Sequence, residues 1–161
     1  MQYHVLSIIR GTTVDGPGFR TSIYLAGCSH HCAGCQNPQS WDSSGGTIMS
    51  LQEIMDIVRE EDFDVTLSGG DPLYNPESTQ LLVAALKEEG RNVWIFTGYT
   101  WEEIASDSRL LSAVGSADVV VDGRFSQELK DPDLIFRGSS NQRLINVAES
   151  IKKNCAISLP E

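Results

Sequence analysis

Residues 65–97 read VTLSGGDPLYNPESTQLLVAALKEEGRNVWIFT. Val65–Leu67 is a short apolar strand that runs into Gly69 and Gly70. Glu77–Glu89 carries a helix closed by Gly90, a residue that accepts the left-handed backbone found just after a last helical turn. Asn92–Thr97 is strand again. Strand, helix and strand in this order form a unit whose two strands lie parallel. The pattern continues on both sides. Ser22–Ala26 reads as a strand, followed by a turn-rich loop from Gly27 to Gly46. Leu51, Ile54, Met55 and Val58 have the spacing of one helical face, so Leu51–Glu60 is expected to be helical. Ser50 and Glu53 supply a capping box for it. Trp101–Val114 is helical in one or two pieces. Asp118–Val121 is a strand whose three valines suit burial on both faces. Leu134–Arg137 and Arg143–Val147 are the remaining strand candidates. The expectation is an α/β fold with a mostly parallel, curved sheet. The chain has 161 residues, well short of the ~250 of a closed eight-stranded barrel. It is therefore expected to form an incomplete, open β/α barrel as one domain over residues 1–161.

Composition narrows the functional classes. Twelve basic residues stand against 22 acidic ones, for a net charge of −10. No Lys/Arg cluster offers the basic surface that nucleic acid or an anionic membrane requires. No apolar run approaches the ~20 residues of a membrane-spanning helix. The first residues, MQYHVLSIIRG, lack the charged and apolar regions of a signal peptide. A cytoplasmic protein is expected, with neither nucleic acid nor membrane as partner.

Three of the four cysteines fall within eight residues, as Cys28-Ser-His-His-Cys32-Ala-Gly-Cys35. Clustered cysteines without a secretion signal read as metal or catalytic ligands before disulfides. Gly27, Gly34 and Pro38 favour a loop that wraps its thiolates around one inorganic centre. Iron–sulfur clusters are usually held by four cysteines, so three leave one iron of a [4Fe–4S] cluster open for a substrate. The same spacing also admits a zinc knuckle completed by His30 or His31. The cysteine loop, the Gly69-Gly-Asp71 turn, the Thr97–Gly98 turn and the Asp122–Gly123 turn each follow an expected strand. In parallel sheets ligands gather at the carboxyl ends of strands, so four loops are expected to share one rim. Gly69 and Gly70 let backbone approach a ligand closely, or they simply make a turn before Pro72. Asp122 and Arg124 suit hydroxyl and carboxylate recognition, or they form a surface ion pair.

The motifs together carry a family resemblance. C-x3-C-x2-C after a strand resembles the radical S-adenosylmethionine superfamily. Asp15-Gly-Pro-Gly-Phe-Arg20, and Cys35-Gln-Asn37-Pro38 with Trp41, resemble segments of the glycyl-radical-enzyme activases. Phe136-Arg-Gly-Ser-Ser-Asn-Gln-Arg143 resembles the C-terminal signature of the activases of anaerobic ribonucleoside-triphosphate reductase. The resemblance runs from about Tyr3 to Val147. It implies a [4Fe–4S] cluster on Cys28, Cys32 and Cys35, with S-adenosylmethionine on the open iron. It further implies cosubstrate contacts from Gly34 and Gln36 to adenine, from Asn37, and from Gly69, Gly70 and Asp71 to the methionyl amine. Asp122 is implied at the ribose and Arg124 at the carboxylate. Gly34 departs from the superfamily, which often has an aromatic residue there, and Asp71 stands where the superfamily has Glu. The implied activity is reductive cleavage of S-adenosylmethionine to a 5′-deoxyadenosyl radical, which makes a glycyl radical on the reductase subunit. An external one-electron reductant such as flavodoxin is implied as a second partner. The rival readings are an activase of another glycyl radical enzyme and a non-catalytic iron–sulfur or zinc module that recruits Cys155. Arg20 facing partner or solvent, Tyr99 and Trp101 lining cavity or core, and the task of Asn141, Gln142 and Arg143 are left open.

Overall fold

The computed structural model describes residues 1–35 and 38–160. In chain order its elements are β1 (Gln2–Thr12), β2 (Arg20–Leu25), β3 (Thr47–Ser50), α1 (Leu51–Glu61), β4 (Asp64–Gly69), α2 (Pro76–Glu88), β5 (Val93–Phe96), α3 (Trp101–Ala105), α4 (Ser108–Val114), β6 (Val119–Asp122), β7 (Arg143–Asn146) and α5 (Val147–Lys153). The strands form one sheet in the order β3-β1-β2-β4-β5-β6-β7. The pairings β2–β4, β4–β5 and β5–β6 are parallel. Those of β1 with β2 and β3, and of β6 with β7, are antiparallel. The expected mostly parallel sheet is thus corrected to a mixed one with a parallel centre. Its outer strands β3 and β7 do not pair with each other, so the sheet is open.

Local chemistry explains most boundaries. The Ser50–Glu53 capping box starts α1 as expected. Gly90 takes φ 77 directly after α2 and its N–H reaches the Lys87 carbonyl, which satisfies an orphan group of the last turn. The helical stretch after Thr100 does break in two, because the Asp107 side chain accepts the Arg109 and Leu110 N–H groups and begins α4 anew. Three differences stand out. β1 and β3, an antiparallel flank, had no counterpart among the expected strands. Leu134–Arg137 is not a strand: its residues form turns, with Phe136 at φ 62 and edge-on to Trp94 at 5.3 Å. Phe136 covers the sheet without joining it, while Ile135 is exposed. The last expected strand ends early, because the Asn146 side chain caps α5 and Val147 enters that helix.

The two faces of the sheet differ. Ile23, Val65, Leu67, Val93, Ile95, Val120 and Ile145 pack with Ile54, Val58, Leu82, Leu86, Ile104 and Val114 of the helices, all fully buried. Each such side chain contributes about 1.5–3 kcal/mol of burial. The opposite face has only a small cluster of Trp94, Val119 and Val121, with Phe96, Phe136, Leu144 and Leu159 against it. The alternation of period two within Val119–Val121 serves both faces, as expected of these valines. The rest of the second face is polar. Arg20 is 1% exposed there and donates to Thr66 Oγ1, the Val65 and Pro17 carbonyls and Asn92. It therefore faces neither partner nor solvent, and it ties the Asp15–Phe19 turn to β4.

The carboxyl ends of β2 and β4 meet at a glycine pair. Gly70 N–H donates to the Leu25 carbonyl at 2.8 Å, and a side-chain carbon on Gly70 would stand 2.4 Å from the Gly27 carbonyl oxygen and 2.8 Å from that of Ser40. The neighbours are backbone and cannot swing aside. Gly70→Ala is expected to lower the stability of the apo-protein by more than about 2 kcal/mol, read from urea denaturation, whereas Gly45→Ala, where an added carbon would stand 3.3 Å from its nearest neighbour, costs less.

Candidate metal centre

β2, β4, β5 and β6 are consecutive and parallel, so their carboxyl ends lie along one rim. A cavity of about 140 Å³ opens there. Each of the four loops expected at the rim contributes to it: all three clustered cysteines and His30 after β2, Ser68 and Gly70 at the end of β4, Thr97 and Gly98 after β5, and Gly123 with Phe125 after β6. Trp41, Phe96, Val121 and Gln142 complete the lining. Cys28, Cys32 and Cys35 are half-buried and none is in a disulfide. Burial pushes the Cys28 thiol up, and the backbone N–H groups of His30 and His31 offset only part of this. Among the described residues no three His, Cys, Asp or Glu side chains converge on a single ion. A four-iron cluster takes each cysteine on a different iron, and three half-buried thiols lining one cavity fit such a cluster.

The other expected site residues divide. Gly70 lines the cavity, and Gly69, at φ 112, lies just outside its lining with its backbone against Leu25. Gly34 is packed by Gln127, whose side-chain oxygen would come 2.7 Å from a carbon placed there. Asp71 is 3% exposed, and both its oxygens are engaged: Oδ1 by the Leu73 N–H and the Thr97 hydroxyl, Oδ2 by the Gly98 N–H, the Thr97 hydroxyl and His30 Nε2. Asp122 and Arg124 border a neighbouring polar groove that shares Gly123 with the cavity. Asp122 is 1% exposed and accepts from the Trp101 N–H and from the backbone and guanidinium of Arg143. Arg143, one of the residues left open, is thus the partner of a buried carboxylate. Gln36 and Asn37 lie outside the described residues. Trp101 is core. Tyr99 packs at the edge of the core and against His30. Cys155 is exposed beside Trp101 and Ser106, in a separate groove.

Sequence reading weighed His30 as a zinc ligand and left the task of Gln142 open, and it did not single out Phe125 as a residue of the site. His30 lies between two clustered cysteines, where outer partners of a metal are found. Phe125 gave no signal, because its place depends on how the chain after β6 folds back. Arg124 pairs with Glu103 at 2.9 Å. That guanidinium, with the Thr100 N–H next, holds the Glu103 carboxyl down at about 2. Both side chains are over 40% exposed, so the pair contributes at most about 1 kcal/mol. Because the folded value is depressed, this stabilisation is present above about 4.5, the ordinary value, and is lost as pH falls through about 2. In Arg124→Gln, the Glu103 titration followed by NMR is expected to move up toward the ordinary range.

Comparison with known proteins agrees with this geometry. The family described as "4Fe-4S single cluster domain" matches residues 14–145. The anaerobic ribonucleoside-triphosphate reductase-activating protein of Escherichia coli strain K12 is 38% identical over 151 residues, covering 88% of this chain and 94% of that one. The protein of the same name from Haemophilus influenzae is 37% identical, with the same shares covered. That of Enterobacteria phage T4 is 32% identical, covering 88% of this chain and 92% of its own. With the cysteine rim, the matched family and relatives alike along nearly their whole length, this chain belongs to the 4Fe-4S single cluster domain family, among the activating proteins of anaerobic ribonucleoside-triphosphate reductase.

Proposed function

We propose that this chain activates an anaerobic ribonucleoside-triphosphate reductase by generating a glycyl radical on it, with S-adenosylmethionine as cosubstrate. The observation that carries the reading is the convergence of three half-buried cysteines in one cavity at the ends of four parallel strands. Cys28, Cys32 and Cys35 hold a [4Fe–4S] cluster and leave one iron for the cosubstrate. When bound, the cluster supplies the one electron that splits S-adenosylmethionine into methionine and the 5′-deoxyadenosyl radical, which takes an α-hydrogen from a glycine of the reductase.

The chain's own residues bind and orient. Backbone at Gly69 and Gly70 receives the methionyl amine, since the Asp71 oxygens are already taken. Gly34, Gln36 and Asn37 lie along the adenosyl part, with Gly34 contributing backbone alone. Arg124 takes the carboxylate by leaving Glu103. Exposure of that pair makes the exchange inexpensive. Asp122 serves the ribose side by fixing Arg143 and the start of α3 beside the groove. The open sheet acts as an incomplete β/α barrel over a single domain, and its partly polar second face admits the glycine-bearing segment. The reductant is a one-electron carrier of the flavodoxin kind, met in the cytoplasm. Among the described residues no helix is long and apolar enough to cross a membrane.

The test is anaerobic reconstitution with iron and sulfide, followed by addition of reductant and S-adenosylmethionine and chromatographic assay of 5′-deoxyadenosine. Wild type and Cys155→Ser are expected to form it, while Cys32→Ser falls to background. A fully loaded wild-type cluster that forms no product would instead make this chain an electron carrier.

A further inference from the structure

Two of the three residues between Cys28 and Cys32 are gripped by the rim. His31 stacks on Trp41, with ring centres 4.2 Å apart and planes 13° from parallel. His30 is held most tightly. Its side chain is 5% exposed, its Nε2–H donates to Asp71 Oδ2 at 2.8 Å, and its ring meets the Tyr99 ring edge-on at 4.6 Å. It occupies a slot that exists only because residue 98 is glycine, since a side-chain carbon there would stand 2.5 Å from His30 Cδ2.

His30 thus stands between two of the clustered cysteines with its ring fixed from behind by Asp71, and the next residue, His31, takes φ 49. A partner that fixes the segment behind a ligand orients that ligand and sets metal affinity.

We infer that His30 is a positioning residue for the iron–sulfur cluster: through its hydrogen bond to Asp71 it fixes the segment between Cys28 and Cys32, and so sets how firmly the cluster is held. The inference rests on the cluster being bound by Cys28, Cys32 and Cys35. It gives Asp71 a task other than the cosubstrate contact that resemblance implied. The shorter Asp is turned inward to hold the loop.

His30→Gln and His30→Met separate this from mere filling of the slot, since the two side chains are alike in length and only Gln can donate to Asp71. Both are reconstituted without oxygen and without S-adenosylmethionine. Iron loss to a chelator and the electron paramagnetic resonance spectrum of the reduced cluster are then measured. Thermal melts of the apo-proteins check folding, with His30→Leu replacing a Met variant that does not fold. His30→Met is expected to hold iron about 10–100-fold less firmly, with an altered spectrum, while His30→Gln stays close to wild type. Indistinguishable Gln and Met variants, whether both retain the cluster or both lose it, overturn the inference. A wild-type protein that takes up no iron overturns the cluster reading itself.

Discussion

The Asp71 carboxylate holds the end of β4, the start of the segment after β5 and the cysteine loop after β2 in one place. Leu73 and Gly98 donate to it from the backbone, and Thr97 and His30 from their side chains. A carboxylate only 3% exposed costs several kcal/mol to take from water unless its oxygens are satisfied. Here the donors offset that cost. Three loops from three strands are thereby held together.

This arrangement requires close backbone approach, and glycines permit it. Gly70 lies against the carbonyls of Gly27 and Ser40, and Gly98 makes way for the His30 ring. The glycines that look in the sequence like ligand-binding turns are therefore also packing positions. The two demands are compatible, because a backbone bare enough to meet a ligand is bare enough to meet another strand. A second buried anion, Asp122, does for the end of β6 what Asp71 does for β4. It joins the start of α3 to the Arg143 strand.

The division of the sheet into an apolar, helix-covered face and a partly polar one suits an enzyme that works on a macromolecule. The helices cover one face with a continuous core. On the other, Arg20, Thr66, Ser22, Tyr24 and Asp15 form a hydrogen-bonded network in place of a second helical layer. Buried polar groups joined this fully stiffen a surface that has little apolar packing to stiffen it.

The βαβ centre, the caps at Ser50 and Gly90, the burial of Val119–Val121 on both faces and the cysteine motif were legible because each depends on residues close in sequence. Periodicity, capping and turn chemistry act within a few residues, and a sheet centre built from such units follows from them. The parts that misled are those set by distant contacts. Leu134–Arg137 has the composition of a strand, yet Phe136 packs on Trp94 and the segment covers the sheet without joining it. β3 depends on pairing with β1 across more than 40 residues, which no local pattern announces, whereas β1 also pairs with the nearby β2. Likewise the sequence determined that three thiols and four strand-end loops belong to one site. Only the tertiary structure decided that Asp71, Asp122 and Arg20 are spent inside the protein, because a buried charge takes its role from the donors and acceptors that folding brings to it.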